Sequence, residues 1–260
     1  METYDSEPKE STSSVDAFEF TDTTQVSPIE FFKSKNIVIL DNVLTEEECV
    51  QILEIPALHN LPMASNSYKS RSKWCFNFQD LSDIVSKRCL RYIPPSEYIP
   101  CDLPRQGHHN DVDHWYYAEI NKAWRLVNCY PGSSINEHLD TPYICGVDCK
   151  SIYTVMVYLT DNSDGETIIG DVTCAPRRGR VLLFNQDLAH HGSPNTLPKS
   201  FIRSEIMYTR AVSTETSEDK EAMELYKQAY TCYNTDPLES KRLESQAFTK
   251  SPKLENVFYS

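Results

Sequence analysis

The sequence predicts a mainly β chain with flanking helices, its β part a sandwich or jelly roll. Three observations lead there. From Ala123 onward, short apolar or alternating runs recur, about seven or eight of them, each closed by a turn signal. On either side of that region the apolar spacing becomes helical. A chain of 260 residues with 40% hydrophobic and 11% aromatic side chains can bury one sizeable core but would crowd two.

Residues 1–28 are rich in Ser, Thr, Asp and Glu, with Val15, Phe18 and Phe20 the main apolar side chains. An acidic, disordered tail is expected, because so little burial does not offset ordering entropy. The run Ile37-Val38-Ile39-Leu40 reads as a buried strand, and Thr45-Glu46-Glu47-Glu48 as a capping box opening a helix with Cys49, Ile52 and Leu53 on one face. A second helix is expected from Asp80 as cap, with Leu81, Ile84, Val85, Cys89 and Tyr92 at helical spacing. Residues 93–115 carry four prolines and the polar stretch His108 to His114, the pattern of a loop.

The strand region then unfolds in order. Arg125–Tyr130 alternates, and Pro131-Gly132-Ser133-Ser134 turns it into the strand of His138. Ser151–Asp161 is a long strand ended by Asn162-Ser163-Asp164-Gly165, and Glu166–Val172 returns. Arg177-Arg178-Gly179 turns before Val181–Phe184, and Phe201–Tyr208 follows the segment of His190. Past Val212, Thr216-Ser217-Glu218-Asp219 opens a helix with Ala222, Met223, Tyr226, Ala229 and Tyr230 on one face, and the last twenty residues show no period. The expected organisation is a tail over 1–28, one domain over 29–212 (helical part 29–122, strand core 123–212), and a C-terminal helix and tail over 213–260.

Composition narrows the function classes. A formal charge of −13 argues against a nucleic-acid partner, since phosphate binding rests on clustered Lys and Arg. No run reaches the length of a membrane span. The nine cysteines contain no CxxC pair and follow no apolar leader, which points to thiols in a reducing, cytoplasmic or nuclear setting. Monomer and homodimer both stay open. No Ser/His/Asp constellation, phosphate loop or dinucleotide fingerprint is present.

His138-x-Asp140 and His190-His191-Gly192 carry the chemistry. Residues two apart on an extended strand point to one face, so His138 and Asp140 can share an ion. One imidazole from the His190–His191 pair, whose members face opposite ways, would complete two histidines and a carboxylate with an open side, an arrangement suited to non-heme Fe(II). A competing His109-x-Asp111 lies in the proline- and glycine-punctuated loop, where ligand geometry lacks a strand to support it. A bound dicarboxylate would also require a cation, for which Lys199 and Arg203, four apart on one strand face, are rivals. Trp115, Tyr116 and Tyr117 either grip a ligand at the pocket mouth or fill the core.

The series Cys129-Tyr130-Pro131-Gly132, His138-Leu139-Asp140, Tyr158-Leu159-Thr160-Asp161, Gly165-Glu166-Thr167, Arg178 to Phe184, His190-x-Gly192 and Lys199 to Tyr208 resembles Fe(II)/2-oxoglutarate dioxygenases of the prolyl 4-hydroxylase type, closely over 125–210. The resemblance implies a double-stranded β-helix, cupin-like core. It implies iron on His138, Asp140 and His190, 2-oxoglutarate on that iron with its far carboxylate on Lys199, Tyr130 as a cosubstrate contact, and dioxygen as co-substrate. Ascorbate is the reductant such enzymes draw on. The implied activity is hydroxylation of an unactivated C–H bond, a prolyl or other side chain of a peptide or protein, with succinate and CO2 as co-products. A small-molecule oxygenase on the same core and a catalytically silent binding module are the alternatives, separated by whether succinate forms. One departure is Asp164 where the family carries a second glycine before Gly165-Glu166-Thr167.

Overall fold

The protein is described by a computed structural model covering residues 13–15, 18–22, 25–34, 36–63, 70–99, 114–233 and 235–259. The competing His109-x-Asp111, with the rest of residues 100–113, lies outside the described residues. The first elements are β1 (Ile29–Lys33), β2 (Ile37–Asp41), α1 (Glu46–Leu58), β3 (Arg71–Asn77) and α2 (Gln79–Cys89). A 3-10 turn, Leu90–Tyr92, leads to β4 (Ser96–Tyr98), β5 (His114–Ile120), β6 (Ala123–Cys129) and β7 (Ile135–His138). Then come β8 (Ile144–Gly146), β9 (Cys149–Tyr158), β10 (Thr167–Ile169), β11 (Val172–Cys174), β12 (Val181–Asn185), β13 (His190–Gly192) and β14 (Lys199–Arg210). Three helices close the chain: α3 (Ser217–Cys232), α4 (Pro237–Lys250) and α5 (Pro252–Tyr259).

Two compact units form, the first from residues up to Ile93, Glu119–Thr141 and Ile152–Ile206. Within it, one sheet runs β1-β2-β12-β9-β14-β6-β3 and the other β11-β10-β13-β7. Strands β6, β9, β12 and β14 alternate with β7, β10–β11 and β13 between the two sheets, the chain path of a jelly roll, or double-stranded β-helix. The core lies between the sheets. Inward positions at every second residue, Val127 and Cys129 on β6, Met156 and Tyr158 on β9, Leu182 and Phe184 on β12, meet Ile169 and Cys174 from the facing sheet. Truncating one of the larger of these side chains, Phe184 for instance, costs about 3–5 kcal/mol.

The helices differ in how the sequence announces them. Thr45 and Glu48 form the capping box at α1. Asp80 does not cap α2: Phe78 stands at the N-cap, and the Asp80 carboxylate accepts from the backbone N–H of Phe18 at 3.4 Å. That contact belongs to a second difference. Where residues 13–28 are described, they are packed rather than a free tail: Val15 is buried, Ser14 bridges Asn77, and Phe18, edge-on, and Phe20, tilted, pack against Phe78. The Thr21 backbone is tied at both ends, its N–H to Glu48 at 2.7 Å and its carbonyl to the Arg88 guanidinium at 2.7 Å. Three apolar side chains and one buried ion pair supply enough contact to order an otherwise polar segment.

The second unit comprises Pro94–Ala118, Pro142–Ser151 and Met207–Ser260. Strand β4 pairs with β5, and Trp115 is core, buried beneath the charged groups of Lys150 and Arg210 at 5.4 and 4.5 Å, while Tyr116 is exposed. The C-terminal residues are helical, because Tyr226, Phe248 and Phe258 build a shared ring cluster that a search for one period does not detect. Cys145 and Cys149 are joined as a disulfide, so the reading of every cysteine as a free thiol fails at this pair; a hairpin turn between β8 and β9 brings their Cα atoms to 5.3 Å, within bridging reach. Cys49, Cys75, Cys89, Cys129, Cys174 and Cys232 are free. Among the described residues, no helix is long and apolar enough to cross a membrane.

Candidate metal centre

The first unit brings His138, Asp140 and His190 together, with one potential ligand atom from each within 4.8 Å of the others. The smaller sheet does this by pairing: β13 lies antiparallel to β7, and His190 stands opposite His138, their ring centroids 4.2 Å apart. Strand β7 ends at His138, Leu139 turns outward at 47% exposure, and Asp140 turns back inside. His138 Nδ1 lies 2.9 Å from the Asn136 carbonyl and His190 Nδ1 3.1 Å from the Leu188 carbonyl. A carbonyl can only accept, so each Nδ1 carries a proton, and in the neutral ring each Nε2 then presents a lone pair. Those Nε2 atoms lie 3.8 and 3.9 Å from the Asp140 carboxylate oxygens. His191 pairs with Ile168 on β10 and takes no part in the cluster.

The electrostatics suit a divalent cation. Burial by itself disfavours a charged Asp140, but the Arg203 guanidinium, His190 and the Thr154 hydroxyl outweigh it and hold the carboxyl well below its ordinary range. Burial pushes the His190 imidazole down, against the pull of Asp140 and with the help of His138. The carboxylate is therefore charged and the imidazole neutral near pH 7, the states a metal needs. Phe184 packs edge-on to His190 at 4.6 Å and walls off that side. His138, with a third of its side chain exposed, marks the accessible side.

Lys199 and Arg203 part company. Arg203 is bonded to Asp140. Lys199, only 2% exposed and opposite Cys129 on β6, donates to the Gly165 carbonyl at 2.7 Å, and burial pushes its ammonium below its usual range, with Cys129 and Glu166 pulling the other way. At about 3.3 Å of rise per residue, the two backbones stand about 13 Å apart along β14. Gly165, at φ +75°, fits between neighbours, since a Cβ there would sit 2.8 Å from Asn195 Cβ and 3.4 Å from Lys199 Cδ. The buried Oδ1 of neighbouring Asn195, and the buried Oγ of Ser133, whose carbonyl accepts from the Asn195 N–H, have no hydrogen-bond partner among the described residues. A buried ammonium fits the remote carboxylate of a dicarboxylic ligand. Tyr130, the expected cosubstrate contact, is 46% exposed, with its hydroxyl on Ser72 of β3.

One inward polar residue, Thr154, was not singled out in the sequence. Thr154 and Tyr158 lie on the core face of β9, Thr154 donating to Asp140 at 2.6 Å and Tyr158 donating to Thr167 Oγ1 at 2.6 Å. The signal was present, because both share the parity of Met156 in an alternating strand, and a polar side chain on an apolar face demands a partner.

No protein-family model matches the chain, and no curated protein matches it. Among solved structures, it is similar to a viral collagen prolyl hydroxylase from Paramecium Bursaria Chlorella virus-1 in complex with 2OG, at 17% identity and TM-score 0.47, covering 69% of this chain and 98% of that one. It is similar to a Pseudomonas putida prolyl-4-hydroxylase at 10% identity and TM-score 0.46, covering 68% and 94%. It is also similar to a Trichoplax adhaerens prolyl hydroxylase in complex with a hypoxia inducible factor peptide fragment, at 17% identity and TM-score 0.45, covering 66% and 84%. At such values these likenesses assign this chain neither activity nor substrate.

Proposed function

We propose that this chain is an Fe(II)- and 2-oxoglutarate-dependent dioxygenase that hydroxylates an unactivated C–H bond in a peptide or protein side chain, with the prolyl side chain as the first candidate. The observation that carries the reading is the convergence of His138, Asp140 and His190 at the jelly-roll interior, with both Nε2 lone pairs turned to one carboxylate. Two imidazoles and one carboxylate leave coordination positions free and suit non-heme iron.

His138, Asp140 and His190 would hold Fe(II), and Lys199 the far carboxylate of 2-oxoglutarate. Bound together, iron and cosubstrate supply the oxidation, in which R–H, dioxygen and 2-oxoglutarate give R–OH, succinate and CO2. The chain's own groups bind, orient and exclude water. The Asn136 and Leu188 carbonyls fix the imidazole tautomers, Phe184 shields His190, and Lys199, its proton affinity lowered by burial, regains it when a carboxylate arrives. An extended substrate reaching the site from the exposed side of His138 would pass Leu139, an apolar contact beside the metal ligands. The test is succinate formation with Fe(II) and 2-oxoglutarate, screened across peptide and metabolite pools with His138→Ala as blank. Substrate-dependent succinate is expected from peptides. Release stimulated only by small metabolites would reassign the substrate, and none from any pool would leave a binding module.

A further inference from the structure

The Asp140 carboxylate is gripped at both oxygens. Oδ1 accepts from Arg203 Nη1, and Oδ2 accepts from the Thr154 hydroxyl at 2.6 Å. Thr154 Oγ1 in turn accepts from Gln186 Nε2 at 3.4 Å, and the Gln186 backbone is pinned to the Ile152 carbonyl at 2.9 Å. A threonine hydroxyl has one proton to give. With Gln186 donating to its oxygen, that proton is directed at Asp140. Arg203 contributes a rigid planar donor to the other oxygen, so the plane of the carboxylate is fixed from two sides.

This arrangement has no need to exist for stability. A buried arginine–carboxylate pair is a poor stabiliser, since desolvation consumes most of what the attraction supplies. The position explains it better. Asp140 follows the end of β7 and has no strand pairing of its own, and its neighbour Leu139 faces outward, so the carboxylate depends on side chains for its orientation. Nor is Arg203 one member of a diffuse cationic wall. Arg125, its cross-strand neighbour on β6, is taken by Glu205, and Lys199 is turned to Gly165.

We propose that Arg203 and Thr154, the latter backed by Gln186, are positioning residues that hold Asp140 in its metal-ligating orientation, and that Arg203 takes no part in holding the cosubstrate. The inference rests on the reading of His138, Asp140 and His190 as the iron site. A carboxylate already oriented loses no rotational freedom when the ion arrives, whereas a released one must be ordered by the ion itself. The guanidinium also neutralises the buried carboxylate before an ion enters. Its repulsion of the ion is moderated by the carboxylate between them, so loss of orientation dominates when Arg203 is removed.

The test titrates the full chain with Co2+, followed by its visible absorption, and then titrates 2-oxoglutarate into the Co2+-loaded protein. Arg203→Met and Thr154→Val are each expected to weaken Co2+ binding about tenfold or more and to change its absorption band. Arg203→Lys and Thr154→Ser restore most of the affinity, which a general loss of packing would not allow. Lys199→Met leaves the Co2+ titration unchanged and weakens only 2-oxoglutarate. Thr154→Val removes one hydroxyl at nearly constant volume and decides the matter if Arg203→Met does not fold. Wild-type Co2+ affinity and spectrum in both Arg203→Met and Thr154→Val overturn the inference, as does an Arg203→Met variant impaired only towards 2-oxoglutarate. A wild-type protein that binds no Co2+ overturns the iron-site reading itself, and the inference with it.

Discussion

Replacing Lys199 with methionine removes the buried ammonium of the proposed cosubstrate site, which lies 5.8 Å from the Phe201 ring centre, while keeping an apolar stem. A hydrogen bond to a charged group contributes about 1.5–3 kcal/mol. At about 1.4 kcal/mol per tenfold, loss of the ammonium raises the dissociation constant for 2-oxoglutarate by roughly 12- to 150-fold. The effects on folding oppose one another: the Gly165 carbonyl loses its 2.7 Å donor, while the cost of desolvating an ammonium disappears. The assay is calorimetric titration of 2-oxoglutarate into metal-loaded protein, with succinate, which also bears two carboxylates but no keto group, as comparison. Both ligands should weaken, because both use the far carboxylate. Unchanged 2-oxoglutarate affinity in Lys199→Met, with a large loss in Arg203→Met, would refute the assignment of the two cations.

Further expectations follow from the same geometry. His138→Ala and Asp140→Ala each abolish iron-dependent turnover with the circular dichroism spectrum retained, whereas His109→Ala is far milder; equal losses in all three would revive the competing motif. Gly165→Ala forces a non-glycine residue to φ +75° against Asn195, costing about 1–2 kcal/mol for the left-handed backbone alone and lowering the melting temperature; an unchanged melting temperature would contradict the close packing. Glu48 is buried, a state that alone would raise its carboxyl, yet the Arg88 guanidinium and the N–H groups of Thr45 and Thr21 bring it below its usual 4.5. A lowered carboxyl stabilises the fold above its unfolded value, and that contribution is lost as pH falls through the folded value. Stability should therefore fall below about pH 4.5, and Glu48→Gln should flatten the fall in a denaturant-midpoint series across pH.

The jelly-roll strands were legible because their alternation is local. Met156 and Tyr158 face the core for the same reason that His138 and Asp140 were expected on one face, although the structure reaches the second result differently, by ending β7 at His138 and turning Asp140 inward. What stayed hidden depends on distant partners. Strand β3 carries Arg71 and Lys73 and reads as polar until β6 pairs with it. Phe18 and Phe20 look stranded in an acidic segment until Phe78 is placed beneath them. The different partners of Lys199 and Arg203 were undecidable from spacing, since four residues along a strand give both the same face; the structure puts Arg203 on Asp140 and Lys199 on the Gly165 carbonyl.

The central claim is that His138, Asp140 and His190 form one iron site that readies the chain for 2-oxoglutarate. Anaerobic equilibrium dialysis against Fe(II), with and without 2-oxoglutarate, tests it most directly on the wild-type chain and Asp140→Ala. The account predicts one ion bound per wild-type chain, held more tightly when 2-oxoglutarate is present, and no such ion in Asp140→Ala. Equal Fe(II) binding by the two proteins, or none by the wild type, would contradict it.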